Sequence, residues 1–363
     1  MAARTAIFFP AGSQAGKLKL GGAEKRMLRT LDTLAGDGLE AAVIFLSDLK
    51  QSFVETSLAE SLCKDALHLE VIVCANQADV VRTVLCRRFD TVLYTDSYRT
   101  MLPFLAAAVI IGSRRVMLHV TTFLAPGHYQ SAQQRILFSL VRRLSTHIDV
   151  LYPSAYRRLV REHPRKRVTF TPMPTTVFED LDMTAKARRI VFLGTLSDVK
   201  GPDVLVDAVA LVQDDLRESG YVVDIAGSGP LSGELRDALA QHRIDDIVHL
   251  LGQTDPARVL PEAEVFVSLQ RINNYPSQSL LEALVQGCSV IVSDDGDSSL
   301  LVPPGHGLLV TRTPESVAQA LVTHLGRSQA QKRASGLASR DFADNTFRED
   351  RSLEHYRELL GTQ

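Results

Sequence analysis

The sequence predicts an α/β protein built from two doubly wound domains that face a cleft. Short apolar runs of strand length alternate with helical patterns, which is typical of parallel sheets covered by helices on both faces. Two prolines and a polar stretch interrupt this pattern once, near the middle of the chain. A length of 363 residues fits two domains. Because open α/β sheets bind ligands at the carboxyl ends of their strands, we expect the site in the cleft.

The first half contains seven predicted strands, at residues 5–9, 41–46, 71–73, 91–94, 116–120, 149–152 and 168–171. Between the first two lies a predicted helix from about Ala23, with Met27, Leu28, Leu31 and Leu34 on one face. These elements predict a Rossmann-like domain over residues 1–175.

We place the linker at residues 171–178 and a second Rossmann-like domain at 185–345. Its predicted strands are residues 189–194, 221–226, 248–251, 265–269, 289–293 and 308–310. Asp255 and Thr313 each precede a proline and are predicted helix N-caps. A last amphipathic helix, at about 347–363, is expected to pack back on the first domain.

The composition, 45% hydrophobic and 23% charged, is that of an ordinary globular protein. The longest apolar run, residues 101–111, is too short to cross a bilayer, and we interpret it as a buried helix and strand. The N-terminus has no signal-peptide pattern, so we expect a cytoplasmic protein. The four cysteines lack metal-site spacing and are predicted to be reduced thiols, with no structural metal: Cys63, Cys74, Cys86 and Cys288.

A glycine-containing segment, residues 225–233, follows the strand at 221–226. Its third glycine, Gly233, lies one residue too late for a dinucleotide-binding fingerprint, so we do not predict a nicotinamide cofactor. A tight strand-to-helix turn explains Gly227 and Gly229, and glycine there also lets a ligand approach the backbone.

The most informative stretch is residues 268–293. It predicts a strand, a polar loop, a short helix that starts at Pro276, and a second strand. The start of that helix offers free backbone N–H groups near Ser277, Gln278 and Ser279, which suit a diphosphate. Glu282 lies off the apolar stripe, where its carboxylate either accepts from two vicinal hydroxyls or is simply solvated.

This stretch resembles the nucleotide-sugar-binding signature of retaining glycosyltransferases of the GT-B fold, in glycosyltransferase family 4. That signature has two glutamates separated by seven residues, followed by Ala and a Gly-Cys-Pro-Val-Ile-like strand. Glu282 matches the second glutamate, whereas the first position is Asn274. Other segments match the family in order, namely residues 20–24, 118–120, 171–178, 192–201 and 294–307.

The resemblance implies transfer of a sugar from a nucleoside diphosphate sugar to a hydroxyl of a glycan, glycolipid or small molecule. It implies retention of anomeric configuration, no metal and no cofactor, an EC 2.4 activity, and a role in polysaccharide or glycoconjugate biosynthesis. Because charge builds on the leaving diphosphate, protein groups must stabilise it. Lys200 is the expected principal cation, beside the helix start at Ser277–Ser279, and Glu282 is expected to hold the donor ribose.

Further donor contacts are expected by resemblance. His119, at the carboxyl end of the predicted strand 116–120, and Asn274 match positions that contact the transferred sugar, and with Lys200 they are the expected catalytic residues. Thr195 stands where the family has Arg, so Arg271 is a candidate replacement cation. The remaining expected donor-binding residues are Gly21, Gly22, Gly227, Tyr275 and Pro276.

No carboxylate occurs between Glu264 and Glu282, so this loop offers no nucleophile for a double displacement. A front-face reaction, in which the leaving diphosphate helps to deprotonate the acceptor, needs none. Two alternatives stay open: a non-catalytic relative that binds a nucleotide sugar or glycan, and another GT-B activity such as an epimerase or phosphorylase.

Charge is unevenly distributed along the chain. Residues 1–177 contain 23 Lys and Arg against 14 Asp and Glu, whereas the whole chain has a net charge of -2. We expect no nucleic-acid partner. The apolar and basic segment 135–144 predicts either an ordinary helix packed on the core or an interfacial helix at the inner face of an anionic membrane. In the second case an anionic acceptor would be attracted by six arginines: Arg135, Arg142, Arg143, Arg157, Arg158 and Arg161.

Overall fold

A computed structural model describes residues 4–9, 13–14, 17–18, 22–62, 64–95, 101–118, 132–165, 167–172, 186–273 and 275–361. The chain divides into two compact units. One unit consists of Met1–Pro172 together with Glu349–Gln363, and the other of Met173–Arg348. Each unit contains one parallel sheet with helices.

The first unit contains a seven-stranded sheet in which every neighbouring pair is parallel. Its strands are β1 (Thr5–Phe9), β4 (Ala41–Leu46), β5 (Glu70–Cys74), β6 (Thr91–Thr95), β7 (Arg114–Leu118), β8 (His147–Val150) and β9 (Arg167–Phe170). Their order in the sheet is β5-β4-β1-β6-β7-β8-β9. A small antiparallel pair, β2 (Ser13–Gln14) and β3 (Lys17–Leu18), follows β1 and was not predicted.

The helices of the first unit are α1 (Gly22–Gly36), α2 (Gln51–Leu62), α3 (Gln77–Arg87), α4 (Met101–Ile110), α5 (Ala132–Leu144), α6 (Pro153–Glu162) and α14 (Glu349–Leu360). The predicted inward face of α1 is buried, since Met27, Leu28, Leu31 and Leu34 all belong to the hydrophobic core. The interpretation of residues 101–111 as a buried helix and strand was wrong. The run forms α4 and no strand, and the last residue of α4, Ile110, is 74% exposed.

The last helix, α14, belongs to the first unit. Tyr356, Leu359 and Leu360 pack in the same core cluster as α1. The helix begins two residues later than predicted, because Phe347 ends the preceding helix instead. Burial of this apolar face joins the last residues of the chain to a sheet that the first residues form.

The second unit contains a six-stranded parallel sheet. Its strands are β10 (Ala187–Leu193), β11 (Val222–Ala226), β12 (Val248–Gly252), β13 (Ala263–Ser268), β14 (Ser289–Ser293) and β15 (Leu308–Val310). Its α-helices are α7 (Pro202–Leu211), α8 (Gln213–Ser219), α9 (Ser232–His242), α10 (Pro256–Val259), α11 (Gln278–Val285), α12 (Pro314–Leu325) and α13 (Gln329–Thr346).

Every predicted strand is present, and both predicted N-caps are confirmed. Asp255 accepts a hydrogen bond from Ala257 N at 3.0 Å, and Thr313 accepts one from Ser316 N at 3.3 Å. Four strands begin two residues before their predicted starts, namely β8, β10, β13 and β7. The last of these, β7, begins at Arg114 rather than Val116. Its first residues pair with β6 through their backbones, so pairing rather than side-chain hydrophobicity sets this end.

The order β12-β11-β10-β13-β14-β15 has its topological switch point between β10 and β13. The chain runs outward from β10 to one edge, returns to β13 and runs to the other edge. In open α/β sheets, ligands bind outside the carboxyl ends of the strands at such a point. A ligand site is therefore expected at the loops that follow β10 and β13.

Candidate nucleotide-sugar site

The loops that follow β10 and β13 meet at the switch point of the second unit. Arg271 N donates a hydrogen bond to Val199 O at 2.9 Å, which joins the two loops directly. Lys200 lies on the first loop and Gln270 on the second, and their side chains are in contact. The two loops thus form one polar surface at the carboxyl edge of the sheet.

The Lys200 ammonium has a neutral partner. Its Nζ donates to Gln270 Oε1 at 2.9 Å, and among the described residues no carboxylate forms an ion pair with it. Burial lowers the pKa of Lys200, since desolvation penalises the charged form. A half-buried cation whose charge is not compensated favours an anionic ligand.

A polar chain continues from Gln270 to the start of α11. Gln270 Nε2 donates to Ser277 Oγ at 3.3 Å, and Ser277 Oγ lies 3.4 Å from Ser279 Oγ. Ser277 is the N-cap of α11 but makes no side-chain cap hydrogen bond. The first N–H groups of the helix are therefore not used by its cap, and with the helix dipole they favour an anion. Pro276 lies just before this cap rather than inside the helix.

Glu282 lies one turn into α11, as predicted, and is half-buried. Its Oε1 accepts a hydrogen bond from Gln278 Nε2 at 2.6 Å. The side chains of Leu280, Leu281 and Leu284 on the same helix are buried, which confirms the apolar stripe. Gln278 thus orients the carboxylate of Glu282.

The glycines after β11 are required by the protein's own backbone. Gly227 has φ of +144°, and a Cβ on it would overlap the Gly194 carbonyl oxygen and lie 2.9 Å from its carbon. A Cβ on Gly229 would lie 2.7 Å from Leu196 N. Leu196 N donates to Ser228 O at 3.1 Å, so the two loops are hydrogen-bonded as well as close. The predicted tight turn at Gly227 and Gly229 is present, and residues 194–196 pack directly against its backbone.

Thr195 lies on this same loop and is exposed. Arg271, the candidate replacement cation, is 56% exposed and forms an ion pair of 2.7 Å with Asp198. Its charge is therefore already compensated. Arg312, which the sequence analysis did not identify, donates to Leu269 O at 3.0 Å and also to Asp198 O. Arg312 thus braces the loops after β10 and β13 against each other.

Tyr275 is 7% exposed, and burial together with nearby Asp297 raises its pKa to about 12. Asn273, two residues earlier, donates from Nδ2 to Asp297 Oδ2 at 2.9 Å. The loop before α11 is therefore held by the segment that follows β14.

Three of the predicted site residues, Gly21, His119 and Asn274, lie outside the described residues. Gly22 is the first residue of α1, and β7 ends at Leu118, directly before His119. Within the second unit, the structure brings Lys200 together with Ser277 and Ser279 through Gln270. The sequence analysis missed Gln270, although a polar residue directly after the buried strand β13 was a usable signal.

In the described part of the chain, no group of three or more His, Cys, Asp or Glu side chains could hold a metal ion. In that same part, no helix is both long enough and apolar enough to span a bilayer.

Residues 187–327 match the family model described as glycosyl transferases group 1, which covers less than half of the chain. The amylovoran biosynthesis glycosyltransferase AmsK of Erwinia amylovora is 27% identical over 185 residues, 47% of this chain and 44% of AmsK. A D-inositol 3-phosphate glycosyltransferase of Jonesia denitrificans is 30% identical over 152 residues, 39% of this chain and 36% of that protein.

A third relative is the GtfA subunit of a UDP-N-acetylglucosamine–peptide N-acetylglucosaminyltransferase from Streptococcus pneumoniae. It is 26% identical over 39% of this chain and 30% of GtfA. The matches therefore span less than half the length of each of these curated relatives.

Solved structures match almost the whole chain. Anabaena HepE in complex with UDP is similar with a TM-score of 0.79 and 17% identity, over 99% of this chain and 100% of HepE. Sucrose-phosphate synthase from Thermosynechococcus elongatus has a TM-score of 0.76 and 15% identity, over 99% and 100% of the two chains. At such identities the likeness establishes the fold alone. The chain therefore has the GT-B fold, and the region that matches the glycosyl transferases group 1 model supports a GT-B glycosyltransferase.

Proposed function

We propose that this protein is a glycosyltransferase that uses a nucleoside diphosphate sugar as donor and an acceptor hydroxyl, with retention of anomeric configuration and without a metal. The observation that carries the proposal is the Lys200 ammonium, whose described partner is the neutral Gln270 amide, beside the start of α11.

The physical argument concerns the charge that develops on the leaving diphosphate. An ammonium in a partly desolvated site, with backbone N–H groups at a helix start, stabilises such charge before the reaction begins. Donors that are already oriented need no reorganisation in the transition state. This site suits a diphosphate better than a neutral ligand.

The relatives support the donor class. GtfA is named for UDP-N-acetylglucosamine, and structures of HepE contain UDP, UDP with glucose, or UDP-glucose. The match to the group 1 glycosyltransferase model includes Lys200 and Glu282. These similarities bear on the donor and leave the acceptor to experiment.

We assign Glu282 to the donor ribose, because its carboxylate is oriented by Gln278 beside the helix start. Asn274 and His119 are assigned to the transferred sugar, and Gly21 and Gly22 to the donor or acceptor. Retention follows from a front-face reaction in which a diphosphate oxygen takes the acceptor proton. The segment between Glu264 and Glu282 has no carboxylate to form a covalent intermediate.

Thermal unfolding in the presence of UDP, GDP, ADP, CDP and dTDP tests the donor site. A ligand at 100 times its dissociation constant stabilises the folded state by about 2.7 kcal/mol, which is easily measured. We expect one diphosphate to raise the melting temperature of the wild type, and Lys200→Met to lose most of that rise. No rise with any of the five diphosphates would refute the proposed function.

Turnover separates the enzyme from the alternatives. A transferase releases nucleoside diphosphate from its donor sugar only when an acceptor is present. A binding protein releases none, and an epimerase changes the sugar without release. A donor sugar that stays intact would favour the non-catalytic binding protein. An altered sugar without release of diphosphate would favour the epimerase.

We also propose that the first unit contacts an anionic membrane surface, where a lipid-linked acceptor would be found. On α5, Ile136 is 69% and Leu140 is 43% exposed, although the next residue, Val141, is fully buried. Arg143, one turn after Leu140, is exposed, as are Arg157, Arg158 and Arg161 on α6. Apolar side chains flanked by arginines are typical of interfacial helices.

Co-sedimentation with phosphatidylglycerol vesicles tests this contact. We expect binding that weakens with salt and that Leu140→Ser reduces. The matched control is Leu337→Ser in α13, since Leu337 is 42% exposed but lies in the other unit. Binding that is absent at low salt, or equal losses in both variants, would end the proposal.

A further inference from the structure

Gln270 occupies an unusual position for an uncharged residue. It is 5% exposed, directly follows β13, and accepts a hydrogen bond from a cation. Three segments meet at it, because its side chain bonds Lys200 and Ser277 while its backbone oxygen accepts from Ser293 Oγ at 2.8 Å. Every polar atom of the side chain therefore has a partner.

The direction of each hydrogen bond follows from elementary chemistry. An ammonium only donates, so the amide oxygen must face Lys200, and the amide nitrogen must then donate to Ser277 Oγ. Because Ser277 Oγ accepts from Gln270, its own hydrogen is left to point elsewhere. The ammonium likewise keeps two of its three hydrogens for other partners.

The neutrality of the amide is essential to this arrangement. A carboxylate at the same place would form an ion pair with Lys200 and cancel its charge, whereas an amide fixes the ammonium and leaves the charge intact. The result is a group of donors, namely the Lys200 ammonium, the Ser277 hydroxyl and the first N–H groups of α11. Such a group is complementary to anionic oxygens such as those of a phosphate.

We propose that Gln270 is a positioning residue that holds the Lys200 ammonium and the start of α11 together as one diphosphate site. This inference rests on the proposed function and adds to it the residue that couples its two anion-binding elements. Gln270 acts through Lys200 and Ser277, and its role is to orient donors before the donor substrate binds.

The test compares a nucleoside diphosphate with the nucleoside that lacks its phosphates. The probe is whichever of UDP, GDP, ADP, CDP and dTDP raises the wild-type melting temperature most, and both affinities are measured by calorimetry or ligand-detected NMR. We expect Gln270→Leu to weaken the diphosphate about tenfold or more, since a hydrogen bond to a charged group is lost, and to leave the nucleoside within about twofold.

Two further variants sharpen the result. Gln270→Glu is expected to weaken the diphosphate more than Gln270→Leu does, because its carboxylate neutralises Lys200, without lowering the melting temperature of the ligand-free protein. In the double variant with Lys200→Met, Gln270→Leu is expected to add little further loss, because residues that act as a unit are not additive.

Ser293→Ala is the matched structural control. It removes a hydrogen bond to the backbone of Gln270 but leaves the side chain and its two partners in place. We expect Ser293→Ala to lower the melting temperature and to keep the ratio of diphosphate to nucleoside affinity.

The outcomes separate this inference from the function on which it rests. If Lys200→Met loses diphosphate affinity while Gln270→Leu retains it, the assignment of Gln270 is wrong and the proposed function stands. If Gln270→Leu weakens both ligands equally, or adds its full effect to that of Lys200→Met, Gln270 is merely structural. If no diphosphate binds the wild type, both the function and the inference fail.

Discussion

Replacing Gly227 with alanine should destabilise the second unit severely, although the change adds only one methyl group. The backbone there has φ of +144°, and the new Cβ would overlap the carbonyl oxygen of Gly194. Strain in such a backbone region costs about 1–3 kcal/mol for a residue with a side chain.

The clash must also displace residues 194–196. Gly194 N donates to Ala226 O at 3.0 Å, and Leu196 N donates to Ser228 O at 3.1 Å. Each of these bonds contributes about 0.5–1.5 kcal/mol net, so the total loss is about 2–6 kcal/mol. For a domain of about 150–250 residues, a loss of 1 kcal/mol lowers the melting temperature by about 2–4 °C. We therefore expect the melting temperature to fall by at least about 4 °C.

Gly233→Ala is the matched control, because it adds the same methyl group six residues later. Gly233 lies in the first turn of α9, and a Cβ on it would have no neighbour within 4 Å. Alanine is favoured over glycine in a helix by about 0.5–1 kcal/mol, so the melting temperature should rise slightly. The chain has no tryptophan, so scanning calorimetry is the suitable measurement. Equal melting temperatures for the two variants would refute the close approach of the two loops.

The other predictions concern ligands and pH. Glu282→Gln should weaken nucleoside diphosphate binding by about 1.5–3 kcal/mol, measured by calorimetry, since charge-assisted hydrogen bonds to the ribose are lost, and unchanged affinity would show that the ribose lies elsewhere. A nucleoside diphosphate should raise the melting temperature equally with magnesium and with EDTA, and a rise seen only with magnesium would refute the metal-free site. Asn274→Ala should reduce the affinity difference between nucleotide sugar and bare diphosphate by about 1–3 kcal/mol, whereas an unchanged difference would remove Asn274 from the sugar site. Burial alone would raise the pKa of Asp149. Hydrogen bonds from His355, Thr169 and Thr171 outweigh burial and bring this pKa below its ordinary value. Because the folded-state pKa is the lower one, this carboxylate stabilises the fold above about pH 4 and the contribution is lost as the pH falls. Thr171→Val should therefore lower the urea midpoint at pH 7 and make the acid loss shallower, and an unchanged pH profile would contradict this role of the hydroxyl.

The local sequence determined which elements form. Alternation of apolar runs with helical patterns predicted every strand of both parallel sheets, because burial on two faces requires a continuous apolar run. The N-caps at Asp255 and Thr313 and the apolar stripe of α11 were equally readable, since each depends on residues a few positions apart. The expected roles of Lys200 and Glu282 came instead from the resemblance of their segments to a known family signature.

Only the tertiary structure decided which elements become neighbours. The pairing of β10 with β13 creates the switch point, and it brings Gln270 to Lys200 across 70 residues of sequence. The steric need for Gly227 likewise depends on Gly194, which reaches it through the pairing of β10 with β11. Periodicity along a chain reports which face of an element is buried, but not which other element covers it. The order of strands is set by packing across the whole unit, and that order determines which polar groups meet at the site.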